Sequence, residues 1–391
     1  MNIQKVYIFA VRFPESSGGA TYVYNLRESF IRLGIDVEIV TLYQGSLITN
    51  FSDYTVLFKN EPLSRQSIRS LTTSSGALKY IELLQLMFMK KIYKARVKKY
   101  FKSLNQSSDS STALIFTHVR PYSIAKDYGF SPQQSPSIII GQHHSPYISV
   151  EEDHSLQKEM VNSFTDIDFF TALSQEDANK FSKLLGINSI GIPNPKPAIP
   201  ESIEIKEISN RTKKAVILAR FSDEKRVDLA IDLFVKAKKI TGDSEWVLEV
   251  YGEGTLEENL REQIQNLKVD SFVKLMGITP QPLKVLAEAR VNLLTSRYEG
   301  FGMTVLEAAS VGTPSLSFAV SPGLIELSDN LSTPTVPEGE YSQYLSYLVK
   351  LMTDDSYIIV PSSELIVNSE RYSSSAIAER WIYLLQNTIK N

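Results

Sequence analysis

The stretch that decides the fold is Ser296–Pro314, which reads SRYEGFGMTVLEAASVGTP. It follows Val291–Thr295, a short apolar run that is typical of a buried strand. Gly312 and Pro314 lie near its end, and these residue types commonly terminate a helix. The order therefore predicts a strand, a glycine-bearing loop and a helix.

The loop of this stretch is suited to binding an anion. Gly300 and Gly302 allow the backbone to turn sharply and to come close to a ligand. At the start of the predicted helix, the N–H groups of Gly302, Met303 and Thr304 have no partner within the helix and lie at the positive end of its dipole. We expect a phosphate site here.

Two carboxylates flank this phosphate site. Glu299 lies in the loop, and Glu307 lies about one turn inside the helix with its side chain tilted back toward the N-terminus. A carboxylate repels phosphate, but it accepts paired hydrogen bonds from vicinal hydroxyls. Phosphate donors between two carboxylates indicate a sugar nucleotide, although two solvated glutamates on an ordinary capped helix would show the same spacing.

The spacing of Glu299 and Glu307, with Glu-Gly-Phe-Gly leading and Leu-Glu-Ala closing, resembles the retaining GT-B glycosyltransferases of glycosyltransferase family 4 (group 1 type). The resemblance implies an α/β chain with the GT-B fold, in which two doubly wound, Rossmann-like domains face a central cleft. It also implies that Glu299 faces the donor sugar and that Glu307 holds the ribose hydroxyls. The donor-binding residues implied in this stretch are Gly300, Phe301, Gly302, Met303, Thr304 and Glu307.

Size and composition limit the class of protein. The chain has 391 residues, which is long for one domain and comfortable for two. Its formal net charge of −3 gives no general attraction to nucleic acid, and the absence of cysteine excludes disulfides, thiolate metal sites and a cysteine nucleophile. The first residues run directly into a strand, and no run approaches about 20 apolar residues. We expect a cytoplasmic protein, at most peripheral at the inner face of the membrane.

A proline-rich segment, Ile192–Pro200, is the clearest linker in the chain. Its Ile-Pro-Asn also occurs at the interdomain crossing of the family. We therefore expect an acceptor-side domain over residues 1–195, joined by a C-terminal helix over 373–391, and a nucleotide-sugar-binding domain over 196–372.

The first half begins as a βαβ unit in which the strand Val6–Ala10 leads through the pair Gly18-Gly19 into a helix. A glycine pair alone is usually only a turn. In the family the equivalent loop faces the donor phosphates, which implies that Gly18 and Gly19 bind the donor. The pattern is not the Gly-x-Gly-x-x-Gly dinucleotide fingerprint, which argues against a dehydrogenase.

Three of the four histidines, His118, His143 and His144, follow predicted strands, where open α/β sheets carry their sites. The resemblance implies a histidine beside the reacting sugar, and His143 fits this place better than His144 or His118. Since no carboxylate stands at ligand spacing, we expect no metal site here. Asp166-Ile167-Asp168 spells a metal-binding sequence of another glycosyltransferase fold, but it precedes a strand and is interpreted as structural.

A second βα series begins at Ala215–Ala219 and leads into Arg220 and Lys225. Two cations at this place can neutralise a diphosphate and stabilise it as it leaves, and the family carries Arg and Lys at this spacing. Arg226 stands where a glycine commonly follows the lysine. The remaining donor-binding residues that the resemblance implies, for the ribose and for a base expected to be uracil, are Gly252, Gly254, Gly277 and Ile278.

Residues 78–104 contain no glycine or proline and are predicted to form one long helix with eight basic residues and one acidic residue, a net charge of +7. An apolar stripe is predicted from Leu83, Leu84, Met87, Phe88, Ile92 and Tyr93. Two interpretations stay open: a surface helix with a solvated basic face, or a patch for an anionic membrane or a polyanionic acceptor.

Together these features predict a retaining glycosyltransferase. It would move a sugar from a nucleotide diphosphate-sugar, expected to be UDP-linked, to a hydroxyl of a bacterial surface glycan, a teichoic-acid-like polymer or a lipid-linked acceptor. The catalytic residues expected are Glu299, Arg220, Lys225 and His143. No cofactor or metal ion is expected, since two cations and the helix N-termini handle the charge. Two alternatives stay open: a nucleotide-sugar epimerase on the same fold, and a non-catalytic partner subunit.

Overall fold

The computed structural model describes residues 3–15, 18–45, 53–58, 77–354 and 360–388. Between residues 77 and 90 it describes the whole backbone but, of the side chains, only that of Phe88. The chain divides into two compact units. The first comprises Met1–Ile192 and Ala378–Asn391, and the second comprises Pro193–Ile377.

The first unit is built on a parallel sheet with the strand order β3-β2-β1-β4-β5-β6-β7 among its described residues. The strands are β1 (Lys5–Phe13), β2 (Asp36–Gln44), β3 (Tyr54–Phe58), β4 (Thr112–Phe116), β5 (Ile138–Gln142), β6 (Phe169–Ala172) and β7 (Ser189–Gly191). The α-helices are α1 (Gly18–Ile31), α2 (Ala77–Ser107), α3 (Val119–Asp127), α4 (Tyr147–Glu152), α5 (His154–Ser163) and α6 (Gln175–Leu185). Strands β4 and β5 are buried at every residue, as expected of a parallel sheet that is covered on both faces.

The second unit repeats this plan with the order β10-β9-β8-β11-β12-β13. Its described strands are β8 (Lys214–Leu218), β9 (Val247–Tyr251), β10 (Val273–Gly277), β11 (Val291–Leu294), β12 (Ser315–Ala319) and β13 (Thr335–Pro337). Its α-helices are α7 (Val227–Thr241), α8 (Glu257–Leu267), α9 (Pro282–Glu288), α10 (Met303–Ser310), α11 (Pro322–Leu331), α12 (Tyr341–Thr353) and α13 (Ser362–Ser369). In both sheets the winding reverses next to the first strand, between β1 and β4 and between β8 and β11. Open α/β sheets bind their ligands at such points.

The long helix α2 is present, but its buried face differs from the predicted stripe. Tyr93, Val97, Phe101 and Leu104 are buried at spacings of three or four residues, against the aromatic core of the first unit. Phe88 and Ile92 are 66% and 48% exposed, so these two members of the predicted stripe do not pack into the core. Among the described side chains of α2, the core contacts begin at Tyr93, a boundary that composition alone did not indicate. Leu83, Leu84 and Met87 lie outside the described side chains.

The proline-rich segment leads into the second unit, and its residues from Pro193 to Lys196 are packed against that unit. Pro193 and Lys196 are buried, as are the two residues between them. The backbone N–H of Lys196 donates to the carbonyl of Tyr372 at 2.7 Å, and its Nζ lies 2.5 Å from the carboxylate of Glu370. The segment is therefore held to the second unit by backbone and side chain.

The C-terminal helix, α14, spans Ser374–Asn387. From Ala378 onward its residues belong to the first unit, where Trp381 is fully buried and its ring lies 6.1 Å from that of Phe30. Among the described residues, no helix combines the length and the apolar character that crossing a membrane requires.

Candidate active site

The stretch that decided the sequence prediction folds as strand β11, a loop and helix α10. Gly302 is the N-cap of α10 and has a left-handed backbone with φ 83°. A Cβ at this position would lie 2.6 Å from Cδ1 of Leu324, so a larger residue would have to displace that side chain as well as adopt a strained backbone. Val305 and Leu306 donate the first helical bonds to the carbonyl of Gly302. The N–H groups of residues 302–304 thus lie outside the helical ladder, as an anion site requires.

Lys225 and Glu299 meet directly at this site. Lys225 Nζ lies 2.7 Å from Glu299 Oε2, and the two side chains are 22% and 16% exposed. Ser296 Oγ also donates to Glu299 Oε2, at 3.3 Å. The sequence placed one residue at the diphosphate and the other at the sugar. The structure shows them paired, on the loops that follow the neighbouring strands β8 and β11.

Arg220 is not part of this pair. Its side chain is 73% exposed, and its ion pair within the described residues is with Glu224, at 3.5 Å. The loop that carries it is fixed by the glycine-bearing turn after β9: Phe221 N donates to Glu253 O at 2.8 Å. A Cβ on Gly252 would lie 1.9 Å from the carbonyl oxygen of Ala219. The turn thus positions the backbone of the loop that carries Arg220, a role that the sequence did not indicate.

The turn after β10 lies next to the same loop, because Gly252 N donates to Gly277 O at 2.9 Å. Gly254 belongs to this arrangement too, since a Cβ there would lie 2.3 Å from the carbonyl oxygen of Phe221. Ile278 is 54% exposed and Met276 47% exposed. Two apolar side chains are thus exposed to solvent at the end of β10.

Glu307 lies on the first turns of α10, as predicted. It is half-buried, and burial raises the pKa of its carboxyl to about 7. Phe301, in the loop before it, is buried and meets the ring of Tyr372 edge-on at 5.6 Å. The aromatic residue of the Gly-Phe-Gly loop therefore anchors the loop, and the glycines beside it bring the backbone to the site.

In the first unit, the start of α1 meets the end of β5. The helix begins at Gly18-Gly19, and Tyr22, about one turn on, shares hydrogen bonds with Gln142 at 3.1 and 2.9 Å. The Tyr22 ring lies 4.2 Å from that of His144. Tyr22 thus brings the helix that begins at the glycine pair against the histidine pair, two features that are far apart in the sequence.

His118 and His143 also come together, with ring centroids 5.8 Å apart. Both ring nitrogens of His143 and of His144 are buried and have no hydrogen-bond partner among the described residues. Burial, and secondly the neighbouring histidines, lower the pKa of His143 to about 3, so its ring is neutral near pH 7. His118 instead caps α3 by accepting a bond from Arg120 N at 3.1 Å.

The two carboxylates of the Asp-x-Asp sequence accept hydrogen bonds from other groups of the protein. Asp166 Oδ1 accepts bonds from Tyr122 at 2.7 Å and from Lys126 at 2.9 Å. Asp168 Oδ2 accepts the N–H of Ile139 at 2.7 Å. Within the described part of the chain, no three His, Asp or Glu side chains are grouped so as to hold a metal ion.

Two arginines near the site were missed as contributors. Arg226 follows Lys225 and bonds to the carbonyls of Thr295 and Ser296, at 2.7 and 3.1 Å. Arg211 is buried and donates to the carbonyls of Val311 and Gly312 at the far end of α10. For Arg226 the available signal was an arginine in place of a glycine. Arg211 carried no signal, because most of its partners are between 78 and 151 positions away in the chain.

Comparison with known proteins shows what the second half of the chain is similar to. Residues 198–357 match the family model described as "Glycosyl transferases group 1". The poly(glycerol-phosphate) alpha-glucosyltransferase of Bacillus subtilis (strain 168) is 23% identical over 76% of this chain. The alignment covers 44% of that protein, so the chain spans less than half the length of this relative. The amylovoran biosynthesis glycosyltransferase AmsK of Erwinia amylovora is 24% identical, over 91% of this chain and 92% of that protein.

Among solved structures, a variant of Staphylococcus aureus TarM in complex with fondaparinux, α-GlcNAc-glycerol and UDP superposes with a TM-score of 0.75. The identity is 14%, and 98% of this chain and all of that chain are covered. The α/β fold class and the GT-B architecture expected from the sequence are confirmed. The chain thus has the fold of the GT-B glycosyltransferases, and its residues 198–357 match the group 1 glycosyltransferase model, which confirms the resemblance to group 1 type GT-B proteins first seen at Glu299 and Glu307.

Proposed function

We propose that the protein is a retaining glycosyltransferase of family 4 that transfers a sugar from a UDP-sugar to a hydroxyl of a teichoic-acid-like or surface-polysaccharide acceptor. The observation that carries this proposal is the Lys225–Glu299 pair beside the N-terminus of α10, where the winding of the second sheet reverses. A cation, a carboxylate and open N–H groups in one place match the diphosphate and the hydroxyls of a nucleotide-sugar.

The relatives support the choice of donor and acceptor classes. The B. subtilis protein is named for poly(glycerol-phosphate) and for an α-glucosyl product, and the TarM structure contains UDP and α-GlcNAc-glycerol. AmsK is named for the biosynthesis of a polysaccharide, amylovoran. These names favour sugar transfer to a surface polymer over epimerisation of a free nucleotide-sugar.

In the proposed reaction, the bond between the anomeric carbon and the β-phosphate oxygen breaks, and the acceptor oxygen bonds to that carbon on the same face. The acceptor proton passes to the leaving diphosphate, so no protein base and no cofactor is required. Arg220, Lys225 and the N–H groups of residues 302–304 stabilise the diphosphate as its charge develops. Glu299 accepts hydrogen bonds from the donor sugar, and neutral His143 offers a free ring nitrogen to a sugar hydroxyl. Glu307 accepts the ribose hydroxyls.

The outer face of α2 supports a second proposal, contact with an anionic lipid surface. Lys91 and Lys94 are exposed beside the exposed side chains of Phe88 and Ile92. A polyanionic chain would gain from the charges alone, whereas a membrane interface takes both the lysines and the apolar side chains. The lysines at 79 and 90 lie outside the described side chains.

The function is tested by measuring UDP release from UDP-glucose and UDP-GlcNAc with and without poly(glycerol phosphate) or poly(ribitol phosphate). We expect release that depends on one of these polymers, and a glycosylated product whose anomeric configuration, read by NMR, is that of the donor. An epimerised sugar without acceptor would support the epimerase instead. Failure to bind UDP would contradict both enzymes and support a non-catalytic subunit.

A further inference from the structure

Arg226 has a backbone conformation that arginine rarely adopts. It is the N-cap of α7, with φ 45° and ψ 48°. This left-handed region is strained for any residue with a Cβ, and glycine is the residue that occupies it freely. The chain therefore places a large cationic side chain where the local backbone would favour glycine, which requires a compensating gain from the side chain.

The guanidinium group supplies that gain through two sets of bonds. Its Nε donates to Thr295 O at 2.7 Å and its Nη2 to Ser296 O at 3.1 Å. Its two Nη atoms also hold both carboxylate oxygens of Glu338, at 2.6 and 2.9 Å. The group lies over the ring of Phe318, 5.4 Å from its centroid, and the side chain is only 11% exposed. All three of its nitrogens donate in one planar fork, a geometry that lysine cannot reproduce.

The two carbonyls that Arg226 holds start the loop that leads to Glu299. This loop also donates hydrogen bonds to the segment around Lys225. Thr295 Oγ1 donates to Arg226 O at 2.8 Å, and Arg297 N donates to Glu224 O at 2.7 Å. The loop bearing Lys225 and the loop bearing Glu299 are thus joined by bonds in both directions, immediately beside the ion pair of those two residues.

We infer that Arg226 is a positioning residue. Its side chain ties the end of β11 and Glu338 to the loop of Lys225, so that Lys225 and Glu299 are held at the separation that the donor requires. The inference rests on the proposed function, because it assigns Arg226 a role in that donor site.

Three variants test the inference. R226G keeps the backbone conformation and removes the fork, R226K keeps the charge and removes the fork, and E338Q weakens the outer half of the fork. The matched control is R290K. Arg290 directly precedes β11 and donates to the carbonyls of Arg211 and Ser209, so R290K also removes a fork from carbonyls, but at the opposite end of the same strand.

The readouts are the dissociation constant of UDP by calorimetry and the kcat and KM for UDP release from UDP-glucose and UDP-GlcNAc. All are measured well below the melting temperature of each variant, with near-UV circular dichroism as a check on folding. We expect R226G and R226K to lose about tenfold or more in kcat/KM, since small misplacements of site groups cost up to about a hundredfold. We expect R290K to match the parent in these constants, whatever its melting temperature. A double-mutant cycle of R226K with E338Q is expected to be non-additive.

K225A and E299Q, measured in parallel, distinguish failure of this inference from failure of the proposed function. If those two impair UDP binding or turnover while R226G and R226K do not, the positioning role is overturned and the function stands. If R290K impairs kcat/KM as much as R226K does, the effect is general destabilisation and the inference is also overturned. If K225A and E299Q have no effect, it is the proposed function that fails.

Discussion

Lys225 Nζ and Glu299 Oε2 lie 2.7 Å apart, although 74 positions separate the two residues in the chain. Both side chains are mostly buried, at 22% and 16% exposed, so the pair is better shielded from solvent than a typical surface ion pair. The two charges are opposite and compensate each other, and in the proposed function the nucleotide-sugar donor binds at this pair. The pair therefore joins the two loops on which the donor site is proposed.

Removal of the cations should slow the transfer. We expect K225A and R220A each to lower kcat by roughly a hundredfold, about 3 kcal/mol, because each loses a contact that strengthens as the diphosphate leaves. K239A, at the other end of α7, removes an exposed lysine and should leave kcat unchanged. The measurement is UDP release under saturating donor. Parental turnover in both K225A and R220A would refute the assignment of a diphosphate clamp.

The pH dependence of UDP binding should report Glu307. Because burial raises the pKa of its carboxyl to about 7, the group is largely neutral below that pH and accepts the ribose hydroxyls poorly. We expect the affinity for UDP to rise as pH increases through about 7, and to lose this step in E307Q. Calorimetry from pH 5.5 to 8.5 checks it; an unchanged pH profile in E307Q would contradict the role of Glu307.

The same carboxyl should affect stability in the opposite direction. Its folded pKa lies above the ordinary value of 4.5, so between about pH 4.5 and 7 the folded state binds more protons than the unfolded state. The free energy of unfolding is therefore expected to fall as pH rises through this window. E307Q should lack this component, which urea unfolding at pH 5 and pH 8 measures. A parental slope in E307Q would mean that other groups set the pH dependence.

His143 should matter for transfer while His154 does not. Both ring nitrogens of His143 lack partners among the described residues, and we propose that one of them bonds a sugar hydroxyl. We expect H143A to lower kcat/KM by about tenfold, the usual size of one hydrogen bond. H154A removes an exposed histidine at the start of α5 and is the matched control. Equal activity of the two variants would show that His143 is only a core residue.

Transfer should survive excess chelator. The carboxylates of Asp166 and Asp168 are taken by protein donors, and the charge of the diphosphate is assigned to Lys225, Arg220 and a helix N-terminus. We therefore expect equal rates of UDP release in EDTA and in added magnesium. Loss of activity in EDTA that magnesium restores would show that a metal ion takes part.

Charge reversal on α2 should weaken lipid binding. Each basic residue near an anionic membrane contributes roughly 1 kcal/mol, so K91E, K94E and K98E combined should abolish most binding to phosphatidylglycerol vesicles. F88S with I92S should weaken it further at high salt, where the charges are screened. The control reverses three exposed lysines of the second unit, Lys236, Lys239 and Lys284.

Transfer to a small soluble acceptor should not change in the α2 variant. Parental binding to the vesicles would leave α2 as a helix with a solvated basic face. Binding to poly(glycerol phosphate) that is lost with the three lysines but insensitive to F88S and I92S would favour a polymer over a membrane.

By itself, the sequence determined the local parts of the site. The apolar run before Ser296, the glycine at 302 and the helix ended near Gly312 follow from conformational preference and periodicity, which act over a few residues. For this reason the strand, the loop and the helix N-terminus, with Glu299 and Glu307 on it, were predictable. The doubly wound plan followed in the same way, from alternating strands and helices.

Features that depend on groups far apart in the chain could be read only from the folded structure. The pairing of Lys225 with Glu299, the approach of Tyr22 to His144 and the buried face of α2 are set by which strands become neighbours and where the core ends. Arg226 shows the physical reason most clearly. In sequence it appeared as a departure from the glycine pattern; in the fold its side chain reaches carbonyls about 70 positions away and joins the two loops that carry the site.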